Sequence, residues 1–353
     1  MSFFDVIIVG GGIAGASLGA AIAAQRRTLI IEAEDQCGYH STGRSAAFYL
    51  ESYGGPEVAK LTAASGAFLD EGGFLHRRGA LHLSEGDWPE LPEGVETRRV
   101  ERAELERLLP GIRSQWARAL VEPGCADIDV AALHESYLRR FKQAGGTVVT
   151  RSRLVSGRRE RDRFKVALAD GSILGCSTLV NAAGAWADEV AQACGIAALG
   201  FAPKRRTMVQ LRVGQSGLRE LPLVNDSLGR FYFKGEGDRS IWLSPHDEIA
   251  TEPCDAAPDE IDVATAIDRF EGVVDWPVER VERTWAGLRT FAPDRLPVFG
   301  FDPDAPGFFW CAGQGGFGIQ TSPAAARLCA ALLLGKEAPS VDPGVFSPAR
   351  FGA

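Results

Sequence analysis

Three glycines and one acidic residue carry the first chemical signal. Gly10, Gly12 and Gly15 have the spacing G-x-G-x-x-G, and Glu32 with Ala33 follows about twenty residues on. Each glycine has its own task in such a motif. One makes a tight turn, one lets backbone approach a pyrophosphate, and one lets a helix pack closely on a strand. The amide groups of Ile13 and Ala14 would open that helix and lend its positive end to phosphate. A carboxylate at Glu32 would accept hydrogen bonds from a ribose diol and would repel a 2′-phosphate. The motif implies a dinucleotide and does not by itself separate NAD from FAD.

The surrounding elements fit. Residues 4–9 read as a buried strand, Ala14–Gln25 as a helix rich in small residues, and Arg27–Ala33 as a second apolar strand. Two further segments run from a strand into bare backbone. Val180–Trp186 contains Ala182, Ala183 and Gly184. Ala312–Gln320 contains Gly313, Gly315, Gly316 and Gly318, with a helix expected from Ser322. Helices are also expected over Glu57–Asp70, Glu101–Leu108, Asp129–Ala144 and Val263–Phe270. Antiparallel strands are expected at Arg206–Val213, Arg230–Lys234 and Ser240–Ser244. Strand–helix alternation at both ends, with antiparallel pattern between, points to two interleaved domains.

Composition narrows the classes. The chain has 353 residues and a net charge of −8, without a basic tract, which disfavours nucleic acid as a partner. Seven cysteines, none in CxxC spacing, argue against a disulfide framework and a structural zinc, and fit a reducing cytoplasm. Val6–Ala24 is uncharged, but five glycines interrupt it and no basic residue precedes it, so no transmembrane span is expected. The Pro-rich tail after Gly335 is expected at the surface. Of the five histidines, none reads as catalytic. His134 reads as structural, and His82 as a packed residue with a pocket wall as the alternative.

Taken together, Ser41–Ala47 (STGRSAA), Ala126–Asp129, Leu179–Trp186, Pro203–Arg206, Thr284–Arg289 and Gln314–Gln320 resemble the FAD-dependent D-amino acid oxidase superfamily, which includes glycine and sarcosine oxidases. Within it the strings look most like the bacterial D-arginine dehydrogenase type. The resemblance implies an α/β architecture: a Rossmann-like FAD-binding domain (1–76, 128–199 and 284–353) interleaved with an α+β substrate domain on an antiparallel sheet (77–127 and 200–283). It places FAD against Ser41, Thr42, Arg44, Ser45, Ala46 and Ala47. It adds Val155, Trp186, Gly287, Phe317 and Ile319 to the glycines and Glu32. A cysteine is absent at Ala286-Gly287, which implies non-covalent FAD.

The same resemblance assigns the substrate carboxylate to Arg289, with Arg206 and Tyr232, and sets Tyr53 over the substrate side chain. Gly316 and Gln320 would approach the amine and the flavin edge. A guanidinium fork suits a carboxylate, at about 1.5–3 kcal/mol for each charge-assisted bond. Phe48, Leu50, Leu223 and Asn225 would line the side-chain pocket. Phe48 and Leu50 stand where arginine-specific relatives carry polar residues, so D-Arg and D-Lys should lose roughly a hundredfold or more for want of a partner. Glu51 and Asn225 would complicate this if either points inward. The expected reaction is oxidation of apolar or neutral D-amino acids to 2-oxo acids and ammonia by hydride transfer to flavin N5. An electron acceptor, quinone or dioxygen, and a monomer or homodimer are expected. The alternatives are a secondary amine such as sarcosine, a 2-hydroxy acid, an NAD-dependent dehydrogenase, or a flavin-binding protein without catalysis.

Overall fold

The computed structural model describes residues 2–337 and 341–352. Two sheets dominate. The first is built around parallel strands in the order Thr147–Val149, Thr28–Ile31, Ser2–Val9 and Ile173–Asn181, with Phe308–Ala312 parallel to the end of the last. Covered on both faces, these strands are near-continuous apolar runs, and all four residues of Thr28–Ile31 are buried. Helices Ile13–Ile22, Val130–Gln143 and Gly318–Leu334 pack together beside this sheet. Asp129 caps the second of these, accepting from Ala132 N at 2.9 Å. A hairpin, Leu154–Glu160 with Arg163–Leu168, continues the sheet past the start of Ile173–Asn181.

The second sheet is largely antiparallel. Its spine is the pair Ala202–Val213 and Val278–Phe291, in one register from Ala202 opposite Phe291 to Gln210 opposite Arg283, with shifts after Gln210 and Arg212 before Val213 meets Val278. Onward from the spine lie Ser240–Ser244, Tyr232–Gly235, Leu223–Asp226, Ala80–Ser84, Arg118–Glu122 and Arg98–Glu101. Strand alternation divides the faces. Val209, Leu211, Val224, Phe231, Phe233, Leu81 and Leu83 turn to a core shared with Phe270 of helix Glu260–Glu271. Their neighbours Met208, Tyr232, Asn225 and His82 turn the other way. A three-stranded sheet, Phe48–Tyr49, Ala126–Ile128 and Leu75–Arg77, sits between the two.

Several elements depart from expectation. Val278–Phe291 was not expected to be one long strand, and it runs through the domain boundary drawn at 284. The last helix starts at Gly318, four residues before Ser322. The tail folds back: Phe346 is buried and packs against Phe299 at 5.7 Å between rings. Residues 338–340 of that tail lie outside the described residues. No helix among the described residues is long and apolar enough to cross a membrane.

Candidate active site

The glycine turn needs its glycines. Gly10 has φ +103°, and a Cβ there would lie 2.4 Å from the carbonyl oxygen of Ala182. A Cβ on Gly15 would lie 2.0 Å from the oxygen of Gly10, so Gly15 packs the helix on the strand and does not border a cavity. Buried Thr42 accepts the Ile13 N–H at 3.0 Å. No side chain bonds the Ala14 N–H, which borders the cavity. Glu32 accepts from Gly11 N at 2.8 Å and Glu34 N at 3.0 Å, one bond per oxygen. Each oxygen keeps a lone pair for a ribose hydroxyl. His134 also braces the turn, donating to Gly11 O at 2.8 Å.

Three cavities follow one another. The first, about 290 Å³, is walled by Gly10, Glu32, Ala33, Ala183, Gly184 and Trp186. It shares Gly12, Ser41, Thr42, Ala182 and Gly184 with a second of about 150 Å³, which Ile13, Gly287, Gly315, Gly318 and Ile319 also border. The second shares Ser45, Ala46, Tyr232, Arg289 and Gly316 with a third of about 190 Å³. That sequence of chambers suits an adenosine diphosphate, a flat ring system over bare backbone, and a small substrate beyond the ring. Asn181, fully buried, shapes the junction through Ala187 O at 2.7 Å and Ala183 N at 3.3 Å.

Some assignments change. Val155 falls where the pairing of its strand shifts register and is 56% exposed; Leu154 borders the cavity in its place. Ala47 borders the third cavity and not the second. Phe317 borders neither and packs its ring on Tyr53 and Phe291. Arg44 lines the second cavity, but its guanidinium binds Ala256 O at 2.9 Å, Ala286 O at 3.1 Å and Asp255. With Ser41 donating to Leu288 O at 2.6 Å, it fastens the 41–47 loop to the long strand. Gln320 borders the third cavity, yet its amide is engaged by Leu50 N at 3.3 Å and Thr62 Oγ1 at 2.8 Å. It positions the wall and leaves no free donor for an amine.

The arginines converge where the second and third cavities meet. Arg206 is 4% exposed. Its Nε donates to Asp247 O at 2.7 Å, while Nη1 and Nη2 have no hydrogen-bond partner among the described residues. Burial, and then the like charge of Arg289, lower its pKa to about 10, so it stays charged at neutral pH. Glu248 lies 3.5 Å away, a contact longer than a hydrogen bond. Arg289 donates from Nη1 to Tyr53 Oη at 2.7 Å, and no carboxylate among the described residues pairs with it. Asp247 Oδ1 lies 3.8 Å from Arg206 Nε, so the charge is partly balanced, but its Nη donors are unmet until an acceptor enters the cavity. Tyr232 gives its hydroxyl to Met208 Sδ at 3.1 Å, a weak acceptor that a carboxylate would displace.

Sequence reasoning missed His246, one of the five histidines, none of which reads as catalytic. It has φ +57° and borders the third cavity. Its Nδ1 donates to Gly229 O at 2.5 Å, which leaves Nε2 as an acceptor. Burial and then the two arginines lower its pKa to about 3, so it is neutral. Phe48, Leu50, Leu223 and Asn225 line the third cavity as expected, together with Tyr53 and His82. Glu51 turns away to Tyr49 Oη at 2.5 Å.

The comparisons agree with this layout. The family model of FAD dependent oxidoreductases (DAO) matches residues 5–332. The chain is 27% identical to glycine oxidase of Pseudomonas aeruginosa across 98% of both proteins. It is 25% identical to the mitochondrial L-2-hydroxyglutarate dehydrogenase of Homo sapiens, over 70% of this chain and 62% of that one. The structure of L-proline dehydrogenase from P. horikoshii has the same fold, with a TM-score of 0.85 at 21% identity, covering 99% and 98% of the two chains. The finer likeness to D-arginine dehydrogenases rests on the motif strings alone. A dinucleotide cradle, a flat chamber and an anion-seeking pair of arginines, matched along nearly the whole chain, place this protein in the DAO family of FAD-dependent oxidoreductases.

Proposed function

We propose that this enzyme oxidises apolar or neutral D-amino acids, in preference to basic ones, to 2-oxo acids and ammonia. The observation that carries this reading is the pair Arg206 and Arg289, which both border the second cavity where it opens into the third, with Nη1 and Nη2 of buried Arg206 unpartnered among the described residues. The D configuration rests on the motif resemblance.

Flavin, when bound, supplies the two-electron acceptor for the α-hydrogen, leaving as hydride. The protein binds and orients. Arg289, held by Tyr53, and Arg206 grip the carboxylate, which fixes the α-carbon. Their positive field also favours loss of the ammonium proton, so the amine arrives neutral with its lone pair available. The imine leaves and hydrolyses in water. No base need act on the carbon. We expect the flavin to be held without a covalent bond. Ala286 and Gly287 offer no nucleophile, and Cys311, the thiol beside the chamber, faces Cys329 Sγ at 4.0 Å.

One observation favours a second reading, a 2-hydroxy acid. A hydroxyl must lose its proton as the hydride leaves, and His246 offers a neutral nitrogen to take it. An imidazole with a pKa near 3 is a weak base, so the amino acid reading stands first. The test is an anaerobic titration of the purified holoenzyme with D- and L-amino acids, sarcosine, proline and 2-hydroxy acids. Bleaching of the flavin by neutral D-amino acids, and not by D-Arg, supports the proposal. Bleaching by hydroxy acids alone moves the assignment to the second reading. Readmitting air then distinguishes dioxygen from a quinone as the oxidant of the reduced flavin.

A further inference from the structure

Beyond the arginines, one face of the antiparallel sheet carries a row of polar side chains. Asn225 stands opposite Tyr232 on one neighbouring strand and level with His82 on the other. Residues in register across adjacent strands share a face and lie about 4.8 Å apart. All three border the third cavity. A substrate whose carboxylate lies at the Tyr232 end can therefore run its side chain past Asn225, about 5 Å on, to His82, about 10 Å on.

The groups at this far end are unevenly used. Glu122 is occupied: its Oε2 takes His82 Nε2 at 2.9 Å, and its Oε1 takes the N–H groups of Glu51 and Ser52 at 3.1 and 3.3 Å. Asp226 is occupied by Arg230, at 2.6 and 3.1 Å. Neither carboxylate is free for a cationic side chain, and Arg230 is not free for an anionic one. Glu90 also borders the cavity, but it is exposed; the buried groups left over belong to Asn225 and His82. The Asn225 Nδ2 is buried without an acceptor, and its Oδ1 has no donor among the described residues. With His82 Nε2 directed to Glu122, the other ring nitrogen, Nδ1, also has no partner among the described residues. An amide and a ring nitrogen together ask for a group that both accepts and donates.

We propose that the far end of the substrate cavity, formed by Asn225 and His82, recognises a neutral carboxamide on a side chain of glutamine length. This rests on the amino acid reading above and narrows it. The amide of Asn225 pairs with the side-chain amide, and His82 Nδ1 makes the second polar contact to it. Methionine has similar length and no such group. Glutamate adds a charge near Glu122, and lysine finds no free carboxylate beside Asn225 and His82, where Glu122 and Asp226 are both occupied; Glu90 on the same wall is exposed.

The test uses the holoenzyme under anaerobic conditions, with both enantiomers of glutamine, methionine, glutamate and lysine. Reduction of the flavin gives kcat/KM for each. Glutamine is expected to exceed methionine by about tenfold, the scale of one net hydrogen bond in a closed pocket. Glutamate and lysine should fall below methionine. In Asn225→Leu the glutamine-to-methionine ratio should drop by at least tenfold, through a raised dissociation constant for glutamine. Should that variant not fold, Asn225→Ser and the wild-type ratio decide. A wild-type ratio of one or less, or a ratio unmoved by the substitution, overturns the proposal while leaving amino acid oxidation intact. If no amino acid bleaches the flavin, the amino acid reading falls and this proposal with it.

Discussion

Replacing Arg289 by Met separates binding from folding. In the parent, Arg289 gives one donor to Tyr53 and faces the cavity with the rest of its fork. A bound carboxylate would take two charge-assisted bonds, at about 1.5–3 kcal/mol each. Arg206 remains and recovers part of this, so the net loss is about 3–4 kcal/mol, a factor of about 10²–10³ in the dissociation constant. Stability should change little. Removing Arg289 relieves the repulsion on Arg206, but against the cost of burial Tyr53, Tyr232 and Glu248 hold the Arg289 charge and raise its pKa, so the two effects oppose. The melting temperature should hold. The pH profile gives a third readout. Arg206 loses its proton as pH rises through about 10, partly because Arg289 repels it. Parental affinity should fall above that pH, and in Arg289→Met the residual affinity should fall only at higher pH. Stopped-flow reduction at several substrate concentrations gives the constant, and thermal melts give the stability. A variant that binds as the parent does and melts well below it would refute the argument, because Arg289 would then be a structural cation.

Other substitutions test other links. Gly15→Ala places a methyl 2.0 Å from Gly10 O and should cost about 1–3 kcal/mol; chemical denaturation and flavin content after purification read it. Glu32→Ala should weaken FAD about tenfold or more, measured by reconstituting the apoprotein, with little effect on the substrate constant of the loaded enzyme. Tyr53→Phe unties Arg289 and should raise KM by about five- to tenfold with a smaller change in kcat. His246 has a folded pKa near 3, against an ordinary value near 6.5. Its neutral burial therefore stabilises the fold above pH 6.5 and is lost as pH falls from 6.5 towards 3. His246→Asn, which suits the positive φ, should flatten that decline in a pH series of melts. Acid precipitation should release the flavin into solution, and colour retained in the pellet would contradict non-covalent binding.

The dinucleotide cradle was legible because its physics is local. Gly10, Gly15 and Glu32 lie within one strand–helix–strand unit, and spacing alone brings them together. The arginines were legible only through resemblance, since Arg206 sits beside Lys204 and Arg205, and nothing in the string says which side chain turns inward. Register decides it: Arg206 and Met208 share one face, and Arg205 turns the other way to Asp262 at 2.6 Å. Val278–Phe291 hid because its first half alternates charged residues with few apolar ones, and its order comes from pairing with Ala202–Val213. His246 hid because its role depends on a backbone turn that carries the ring back to Gly229. Val155 differs by one residue from Leu154, which borders the cavity, and a register shift between Leu154 and Ser156 is not legible in the string.

The Glu122 carboxylate has a consequence for altering this enzyme. It holds His82 at the side-chain end of the cavity and also holds the backbone at Ser52, next to Tyr53, which steadies Arg289 at the carboxylate end. The two ends of the substrate are thus read by parts joined through one buried anion. A change at His82 that loosens Glu122 will be felt as a looser grip on the carboxylate. Selectivity and turnover are therefore geared together here, and variants chosen for a new side chain will need a compensating change along the 50–53 segment to keep their rate.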